Sequence, residues 1–572
     1  MTPHRLSFAT KAILGGIGAA LLALSLVPTG THAAAFAHPS RVAALGGAIP
    51  EATVRGAVAF RIALAAGAVA IPLLAAMLLR AAGPASQRPT SPWKHDRQAR
   101  LALGAVIAVG ALVRILLARQ SFWYDEISSF LSFAIEGPGV AFGSYVVPTN
   151  HVPMTLAVWA VWRATGSSDE LLLRLPALAA GIASIPTAAL LAERLLGRRA
   201  LLPGALVMAL APIPILASTE ARGYAFVILA ALVGALAIAR AREGGSSAAW
   251  IAFATAAAIG AWSHPVALAL PIAAVAVGLA SRRDRALAIA GTLSLAIAAV
   301  LLAPLSGDVL STRSDYLRSE ATQPSLLSRE TCEAALGLAL AWSGPWRMPD
   351  PVLVPLALLG AFAILRGRSH RLRDARIVLA PFALAIAVAL AAQAALGTWT
   401  YARFYLFATP IGAILVTLGI LDASRRCRRP WIARGAPALL VLSTAFAATT
   451  YLAKQPIREA VATVAARRED GDRVATIGLP DNAVGFYALR AGFEAIPTGF
   501  LGSDLDGTLA REDPRFVIAL YPDRLSPETL ARLDRTFDRT GRLAGWADWG
   551  HGAVEVWEAS RRGGDQPTGR SR

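Results

Sequence analysis

Residues 101–126, LALGAVIAVGALVRILLARQSFWYDE, decide the fold of this chain. The first part, residues 101–118, is an apolar run close to the roughly 20 residues that a membrane-spanning helix needs. The acidic pair Asp125 and Glu126 follows where such a span would emerge into water. Because acidic side chains are costly in hydrocarbon, a pair at the membrane surface suggests a functional site. The alternative is that the pair caps the first turn of a loop helix, a common place for Asp and Glu.

The composition is that of a multispanning membrane protein. Of 572 residues, 55% are hydrophobic and 16% are charged, whereas soluble domains carry about 25% charged residues. The mean hydropathy is +0.52. The net charge of +18 does not indicate a nucleic-acid partner, because the arginines form short clusters between apolar runs. Cys332 and Cys427 are predicted on opposite sides of the membrane, which indicates neither a disulfide nor a thiolate metal site.

Apolar runs of about spanning length recur along the chain and predict about thirteen transmembrane helices. The runs are 12–27, 57–79, 101–118, 171–192, 201–217, 224–239, 248–263, 266–280, 286–304, 351–365, 377–396, 404–421 and 436–451. The break between the seventh and eighth runs rests on a single His-Pro step, His264-Pro265.

Basic residues predict the orientation of these runs. Every second connection is rich in arginine or lysine, and by the positive-inside rule these connections face the cytoplasm. The amino terminus is then cytoplasmic, and the long loops 120–170 and 306–350 and the carboxy-terminal domain are outside. The first run, preceded by Arg5 and Lys11 and followed by Ala33-Ala34-Ala35, fits either a retained span or a cleaved secretory signal.

The organisation that we predict has four parts: two amino-terminal spans and a basic loop over 1–100, a transmembrane domain over 101–451, a soluble α/β domain over 452–560 and a polar tail over 561–572. In loop 120–170, residues 154–162 predict an interfacial helix. In the soluble domain, helices are expected at 458–467 and 527–537 and strands at 473–477, 516–520 and 553–557. It has no phosphate-cradling glycine loop or metal-ligand spacing, so we expect a lid or scaffold without chemistry.

Polar residues on the predicted outer side converge on one face. The candidates are Asp125, Glu126, His151, Glu220, Arg222, Tyr224, His264, Tyr401, Arg403 and Tyr405. Each also has an ordinary explanation: Glu220 and Arg222 as a surface ion pair, the histidines as caps or buried imidazoles, and Arg403 as a residue snorkelling to lipid headgroups.

The order of these motifs resembles the bacterial GT-C-fold membrane glycosyltransferases, in the branch of the protein O-mannosyltransferases and aminoarabinose lipid A transferases (glycosyltransferase family 39-like). The resemblance covers roughly residues 101–451. It rests on the Asp-Glu pair after a span, a His/Pro step, ELLLRLP at 170–176, GRR at 197–199, EARGY at 220–224 and RFY at 403–405 ahead of a proline-bearing span. The chain departs from the family in reading His151-Val152-Pro153 rather than His-Pro-Pro, and in having two additional spans before Leu101.

The resemblance implies an enzyme of the bacterial plasma membrane. It would transfer a sugar from a polyprenyl-phosphate-linked donor to an extracytoplasmic glycan, lipid or protein acceptor, with inversion. Asp125 would be the general base, and Glu126 would orient it, bind a cation or share its proton. Arg222 and Arg403 would hold the donor phosphate.

The other candidates would contact the substrates, with Glu220 positioning the acceptor or the sugar hydroxyls. A divalent cation is left open, because Asp125, Glu126, His151 and Glu220 do not have a diagnostic ligand spacing.

Two alternatives belong to other functional classes. A transporter or lipid flippase would also be multispanning, but transporters place ionisable residues near the bilayer midplane and often contain internal repeats, which this sequence does not indicate. A noncatalytic assembly protein of glycosyltransferase-like fold is the other alternative, and the altered His/Pro step keeps it open.

Overall fold

The computed structural model describes residues 6–81, 96–244, 246–281, 284–311, 342–343, 348–349, 352–396, 402–426, 435, 438, 440–441, 453–478, 482–546 and 552–560. The chain divides into two compact units. The membrane unit comprises Met1–Ala118 and Ser129–Ala447, and the carboxy-terminal unit comprises Arg119–Ser128 and Ala448–Arg572. The predicted tail 561–572, both cysteines and most of loop 306–350 lie outside the described residues.

Within the described part of the membrane unit, eight helices are long and apolar enough to cross a membrane. They are Phe8–Leu26, Glu51–Ala81, Arg97–Leu117, Glu170–Leu196, Tyr224–Gly244, Arg285–Ser311, His370–Leu396 and Arg403–Arg426. A ninth span results if Arg198–Leu210 and Pro212–Ser218, which are bent by 56°, are taken together.

Three shorter apolar helices, Ser247–Ser263, Pro265–Ala280 and Leu353–Arg366, coincide with further predicted runs. The predicted multi-pass helical membrane domain is therefore confirmed, whereas the count of thirteen spans is not. The last predicted run, 436–451, lies almost wholly outside the described residues.

A buried arginine satisfies the break in the bent span. Arg114, in the third span, is fully buried and donates to the carbonyls of Met208 at 2.7 Å and Ala209 at 2.9 Å. In a continuous helix the Met208 carbonyl would accept from residue 212, which is proline and has no N–H. Arg114 supplies the donors that the broken helix lacks.

Glycines allow close helix contacts in this unit. Where Leu353–Arg366 packs along the last described span, a Cβ on Gly360 would collide with the carbonyl of Leu415, and one on Gly419 with that of Leu356. Because lipid gives membrane helices no hydrophobic drive to associate, such close packing is a main source of their cohesion.

Shorter elements connect the spans. Thr29–Phe36 and Pro39–Ala44 follow the first span, and Tyr124–Ser129, the π-helix Phe130–Ala134, Pro138–Gly143 and Val152–Thr165 follow the third. The last of these contains the predicted helix 154–162. The 3₁₀ segments are Arg198–Ala200, Pro265–Leu268, Ala303–Leu305 and Ala402–Ala408, the last of which is kinked at Tyr405. The two-residue strands Trp342–Ser343 and Met348–Pro349 pair antiparallel.

The carboxy-terminal unit contains a five-stranded mixed sheet. The strand order is Ala495–Phe500, Val474–Gly478, Phe516–Leu520, Val554–Ala559 and Phe537–Leu543, with the first three parallel and the last two antiparallel additions. Ile457–Ala465, Asn482–Arg490, Leu505–Glu512, Pro522–Arg524 and Pro527–Thr536 are its helical segments. The two central parallel strands are buried along their whole length, which explains their continuous apolar sequence. The predicted small α/β domain is confirmed.

Candidate functional site

The loop before helix Val152–Thr165 is fixed by a buried asparagine. Asn150 Nδ2 donates to the carbonyl oxygens of Ala141 at 2.9 Å and Ser144 at 2.8 Å, at the end of helix Pro138–Gly143. Its Oδ1 accepts from the hydroxyl of Thr155 at 2.9 Å. Because both ends of the amide are engaged, the next residue, His151, has a defined position at the start of the helix.

His151 binds the backbone of a neighbouring helix. Its Nδ1 lies 2.7 Å from the carbonyl oxygen of Ser263, the last residue of Ser247–Ser263. Since a carbonyl only accepts, Nδ1 carries the proton and Nε2 of the neutral ring is an acceptor. Gly223 makes this contact sterically feasible, because a Cβ there would lie 2.7 Å from the Ser263 oxygen and 2.8 Å from His151 Nδ1.

Aromatic rings from four segments of the membrane unit surround this contact. The His151 ring centroid lies 5.0 Å from that of Tyr224 and 5.4 Å from that of His264. The Tyr224 and His264 centroids are 6.1 Å apart, and Phe404 lies 4.7 Å from His264. The turn at 218–223, the His-Pro break and the 3₁₀ turn Ala402–Ala408 therefore meet at the start of helix Val152–Thr165.

Arg222 is buried beside these rings, with 3% of its surface exposed. Its Nη1 donates to Ser129 Oγ at 2.8 Å and to the Thr149 carbonyl at 2.5 Å. Ser129 Oγ in turn donates to the same carbonyl at 2.7 Å. The guanidinium Cζ lies 5.8 Å from the Tyr224 ring centroid, so the charged group is held at the edge of the aromatic cluster.

Arg403 brings a second guanidinium to the cluster. Its Cζ lies 5.7 Å from the ring centroid of Phe404, the residue that also packs on His264. Arg403 is half-buried at the start of the last described span. The cluster is thus His151, Arg222, Tyr224, His264, Arg403 and Phe404, and we call it the arginine-histidine cluster.

Burial and the two arginines keep both imidazoles neutral. Burial is the largest cause that lowers the pKa of His151 well below 6.5, and the charge of Arg222 adds to it, with smaller contributions from His264 and Arg403. The pKa of His264 is lowered to about 3, first by burial and then by the charges of Arg222 and Arg403. A positive potential acts on a pair of neutral rings, which is an environment that favours an anion.

Two other predicted residues, Glu220 and Tyr405, are described outside this cluster, and a third, Tyr401, lies outside the described residues. Glu220 is buried in the turn 218–223, two residues before Arg222. The buried Tyr405 hydroxyl donates to Gln393 Oε1 at 2.5 Å, which ties the last described span to His370–Leu396.

Asp125 and Glu126 belong to the carboxy-terminal unit by the division of the chain. Glu126 is buried, and its Oε2 accepts from the backbone N–H of Trp123 at 3.2 Å. This is the returning half of a capping box at the start of helix Tyr124–Ser129. Asp125, in the first turn of the same helix, is half-buried.

The described residues contain no group of three or more His, Cys, Asp or Glu side chains placed to hold a metal ion. They do line a cavity of about 650 Å³ near the end of span Tyr224–Gly244, with Leu190, Arg194, Leu236, Arg240 and Glu243 among its walls. Tyr224 begins that span and Arg240 lies near its end, so this cavity is separate from the arginine-histidine cluster.

Several residues that fix the site carry almost no signal in the sequence. Ser129, Thr149 and Ser263 act through hydroxyl or carbonyl groups that carry no motif, and only the closeness of Ser263 to the His-Pro break hinted at one of them. Gln455 and Tyr487 accept hydrogen bonds from the backbone just before Asp125, although they lie more than 300 residues further along the chain. No local pattern identifies such partners.

Fold and site define a multi-pass membrane protein with a small α/β unit and an anion-favouring cluster. No protein-family model and no curated protein matches the chain.

Among solved structures, the chain is similar to ArnT from Cupriavidus metallidurans bound to undecaprenyl phosphate, at 14% identity over 82% of this chain and 99% of that one, with a TM-score of 0.48. It is similar to the oligosaccharyltransferase AglB from Archaeoglobus fulgidus in complex with an inhibitory peptide and a dolichol-phosphate, at 10% identity over 83% and 76%, with a TM-score of 0.44. It is also similar to the arabinosyltransferase EmbB from Mycobacterium smegmatis, at 17% identity over 64% and 34%, with a TM-score of 0.41. These are GT-C-fold glycosyltransferases, the class that the sequence motifs resemble.

Proposed function

We propose that this chain is a membrane glycosyltransferase that takes its sugar from a polyprenyl-phosphate-linked donor. The observation that carries the proposal is the arginine-histidine cluster, in which Arg222 and Arg403 act on two buried neutral imidazoles. A phosphate would neutralise this positive potential, and guanidinium groups match phosphate oxygens in geometry and charge.

A lipid tail on that phosphate suits a multi-pass protein, because the bilayer or a groove between spans would hold an isoprenoid chain at low cost. Undecaprenyl phosphate and dolichol-phosphate are the lipids bound in the ArnT and AglB structures. For this chain, the choice of a lipid phosphate rests on the cluster and on the number of membrane spans.

The chemistry that we propose is a single displacement at the anomeric carbon. The Asp125 carboxylate takes the proton of the acceptor hydroxyl while the acceptor oxygen forms the new glycosidic bond. The bond between the anomeric carbon and the phosphate oxygen breaks, and the phosphate leaves with the electron pair. Arg222 and Arg403 stabilise the charge that develops on it, and attack opposite the leaving group inverts the anomeric configuration.

The distribution of arginine between the spans supports an extracytoplasmic site. Helix ends on the side opposite to the arginine-histidine cluster carry Arg194, Arg240, Arg366 and Arg426, which by the positive-inside rule belong to the cytoplasm. The acceptor is then an extracytoplasmic glycan, lipid or protein, and the carboxy-terminal unit is outside the membrane.

The test is a transfer assay with the full-length protein in membranes, a radiolabelled polyprenyl-phosphate sugar and a cell-envelope acceptor extract. We expect label in the acceptor and one polyprenyl phosphate released for each sugar transferred. Asp125→Asn removes the base and is expected to lower the rate about 10²- to 10⁴-fold, with donor binding retained.

Full transfer by a correctly inserted Asp125→Asn protein would remove Asp125 from the chemistry. Donor binding without transfer, together with movement of the donor between leaflets of proteoliposomes, would instead identify a lipid flippase. Inactivity of the unmodified protein on every donor, with no binding of polyprenyl phosphate, would overturn the proposal.

A further inference from the structure

The segment that leads to Asp125 is held, residue by residue, by distant parts of the carboxy-terminal unit. The backbone N–H of Phe122 donates to the hydroxyl of Tyr487 at 2.7 Å. The N–H of Tyr124 donates to Gln455 Oε1 at 3.0 Å. Two backbone N–H groups of the segment are thus bound by side chains that follow the last described span in sequence.

Further contacts hold the ends of the same segment. The backbone N–H of Arg458 donates to Ser121 Oγ at 3.2 Å, and its guanidinium donates to the carbonyl of Arg119 at 3.2 Å. The rings of Phe122 and Phe486 lie 6.0 Å apart. Phe486 and Tyr487 are neighbours on helix Asn482–Arg490. This helix therefore contacts both the backbone N–H and the ring of Phe122.

Trp123 is held by a cation. The ammonium of Lys454 lies 3.4 Å from the Trp123 ring centroid and 5.1 Å from that of Trp546. Lys454 is buried, with 6% of its surface exposed, and a cation over an aromatic face gains more when it is removed from water. The backbone carbonyl of Lys454 also accepts a hydrogen bond from the backbone N–H of Trp546 at 3.0 Å, which holds Trp546 next to Lys454.

We infer that the carboxy-terminal unit sets the position of the helix that carries the proposed base, with Tyr487 and Gln455 as positioning residues. This inference rests on the proposed function, and it replaces the expectation of a lid without a part in the chemistry. Asp125 directly follows Tyr124, whose N–H is bound by Gln455, and it precedes Glu126, whose carboxylate caps the same turn. The backbone from which the Asp125 side chain extends is therefore held at several points by the carboxy-terminal unit.

We expect positioning of this kind to affect the rate of the chemical step, kcat, more than it affects the binding of the donor. The hydrogen bonds of Tyr487 and Gln455 go to the backbone of the Asp125 segment, whereas donor phosphate binding is assigned to Arg222 and Arg403. A displacement of the base by a fraction of an ångström lowers the probability of a productive geometry, while phosphate binding is unaffected.

The experiment compares Tyr487→Phe and Gln455→Ala with the control Thr498→Val in full-length protein. Thr498 also donates a buried hydrogen bond in this unit, to the carbonyl of Thr476 at 2.9 Å, without contacting the Asp125 segment. For each positioning variant we expect faster deuterium exchange at residues 121–126, a fall in kcat of about ten- to a hundredfold, and an unchanged KM for the donor. The control should keep both the protection and kcat.

The outcomes separate this inference from the proposed function. If Asp125→Asn is inactive but both positioning variants keep wild-type exchange and kcat, the positioning role is overturned and the proposed function stands. Faster exchange with an unchanged kcat also overturns it, because the segment would then be held for stability alone. If Asp125→Asn is fully active, Asp125 is not the base and the positioning role is overturned, while the transfer activity itself stands. The proposed function fails only if the unmodified protein transfers no sugar and binds no polyprenyl phosphate.

Discussion

The rings of His151 and His264 lie 5.4 Å apart in the membrane unit, and both are buried next to arginine. Burial and positive charge lower the pKa of both imidazoles in the folded protein, for His264 to about 3. The unfolded chain, with histidine pKa near 6.5, therefore binds more protons than the folded chain as the pH falls from about 6.5 towards 3.

Stability of the ligand-free protein is expected to be complete above pH 6.5 and to fall as the pH decreases, by roughly 1.4 kcal/mol per pH unit and histidine. Thermal unfolding in detergent at pH 7.5 and pH 5 would measure this effect. His264→Gln should flatten the dependence, and polyprenyl phosphate should do the same, because a bound anion raises the pKa of both rings. A pH-independent Tm would contradict the assignment of neutral buried histidines.

Arg222→Ala and Arg403→Ala are expected to weaken use of the donor. Hydrogen bonds to charged groups are worth about 1.5–3 kcal/mol, so KM for the donor should rise roughly 10- to 100-fold. Arg366→Ala is the matched control, since Arg366 lies over the ring of Phe362 with its Cζ 4.2 Å from the centroid, at the end of another helix. Equal donor dependence in all three variants would exclude the two cluster arginines from phosphate binding.

Gly223→Ala tests the close contact at His151. The new methyl group would meet a backbone oxygen, that of Ser263, and the imidazole ring within 3.0 Å. Because the backbone cannot yield easily, we expect a cost of about 1–3 kcal/mol and a displaced histidine, measured as lower Tm and lower transfer. Gly104→Ala is the control, because nothing lies within 4 Å of the added carbon there and alanine favours a helix. Wild-type behaviour of Gly223→Ala would show that the contact is not needed.

Arg114→Gln tests the broken span. Loss of the guanidinium leaves buried carbonyls of Met208 and Ala209 without donors, at about 1–3 kcal/mol for each unmade bond. We expect a lower yield of monodisperse protein in size-exclusion chromatography and a lower Tm. Arg55→Gln, which removes only an exposed pair with Glu51 in the second span, should change little. A Tm equal to that of the control would mean that water satisfies the break.

The spans could be predicted because each needs only a long apolar run, and the His264-Pro265 break was found from a local signal. The bend at Pro212 was missed, since residues 201–217 are apolar throughout and the donor that stabilises the break, Arg114, comes from another helix. In the sheet, Val474–Gly478 and Phe516–Leu520 were predicted from continuous apolar sequence. Strands Ala495–Phe500 and Phe537–Leu543 were missed because one contains Pro497 and Gly499 and the other is a largely exposed edge strand.

For the site, the motifs named His151, Arg222, Tyr224, His264 and Arg403, which the structure brings into one cluster. They named these residues through their order along the chain, which carries no distances. Ser129 and Thr149 are recognisable only from the geometry around Arg222. The structure brings the cluster residues together, but the functional roles of all the predicted site residues stay predictions, including those of Asp125, Glu126 and Glu220.

The hold of Tyr487 and Gln455 on residues 121–124 has a consequence for biosynthesis. A ribosome completes residues 121–126 long before it reaches Gln455 and Tyr487, so the acidic helix forms before the side chains that hold it have been made. The final arrangement of this helix can form only after the described spans and residues 455–487 have been translated. The protein would therefore become active only when its insertion into the membrane is almost finished.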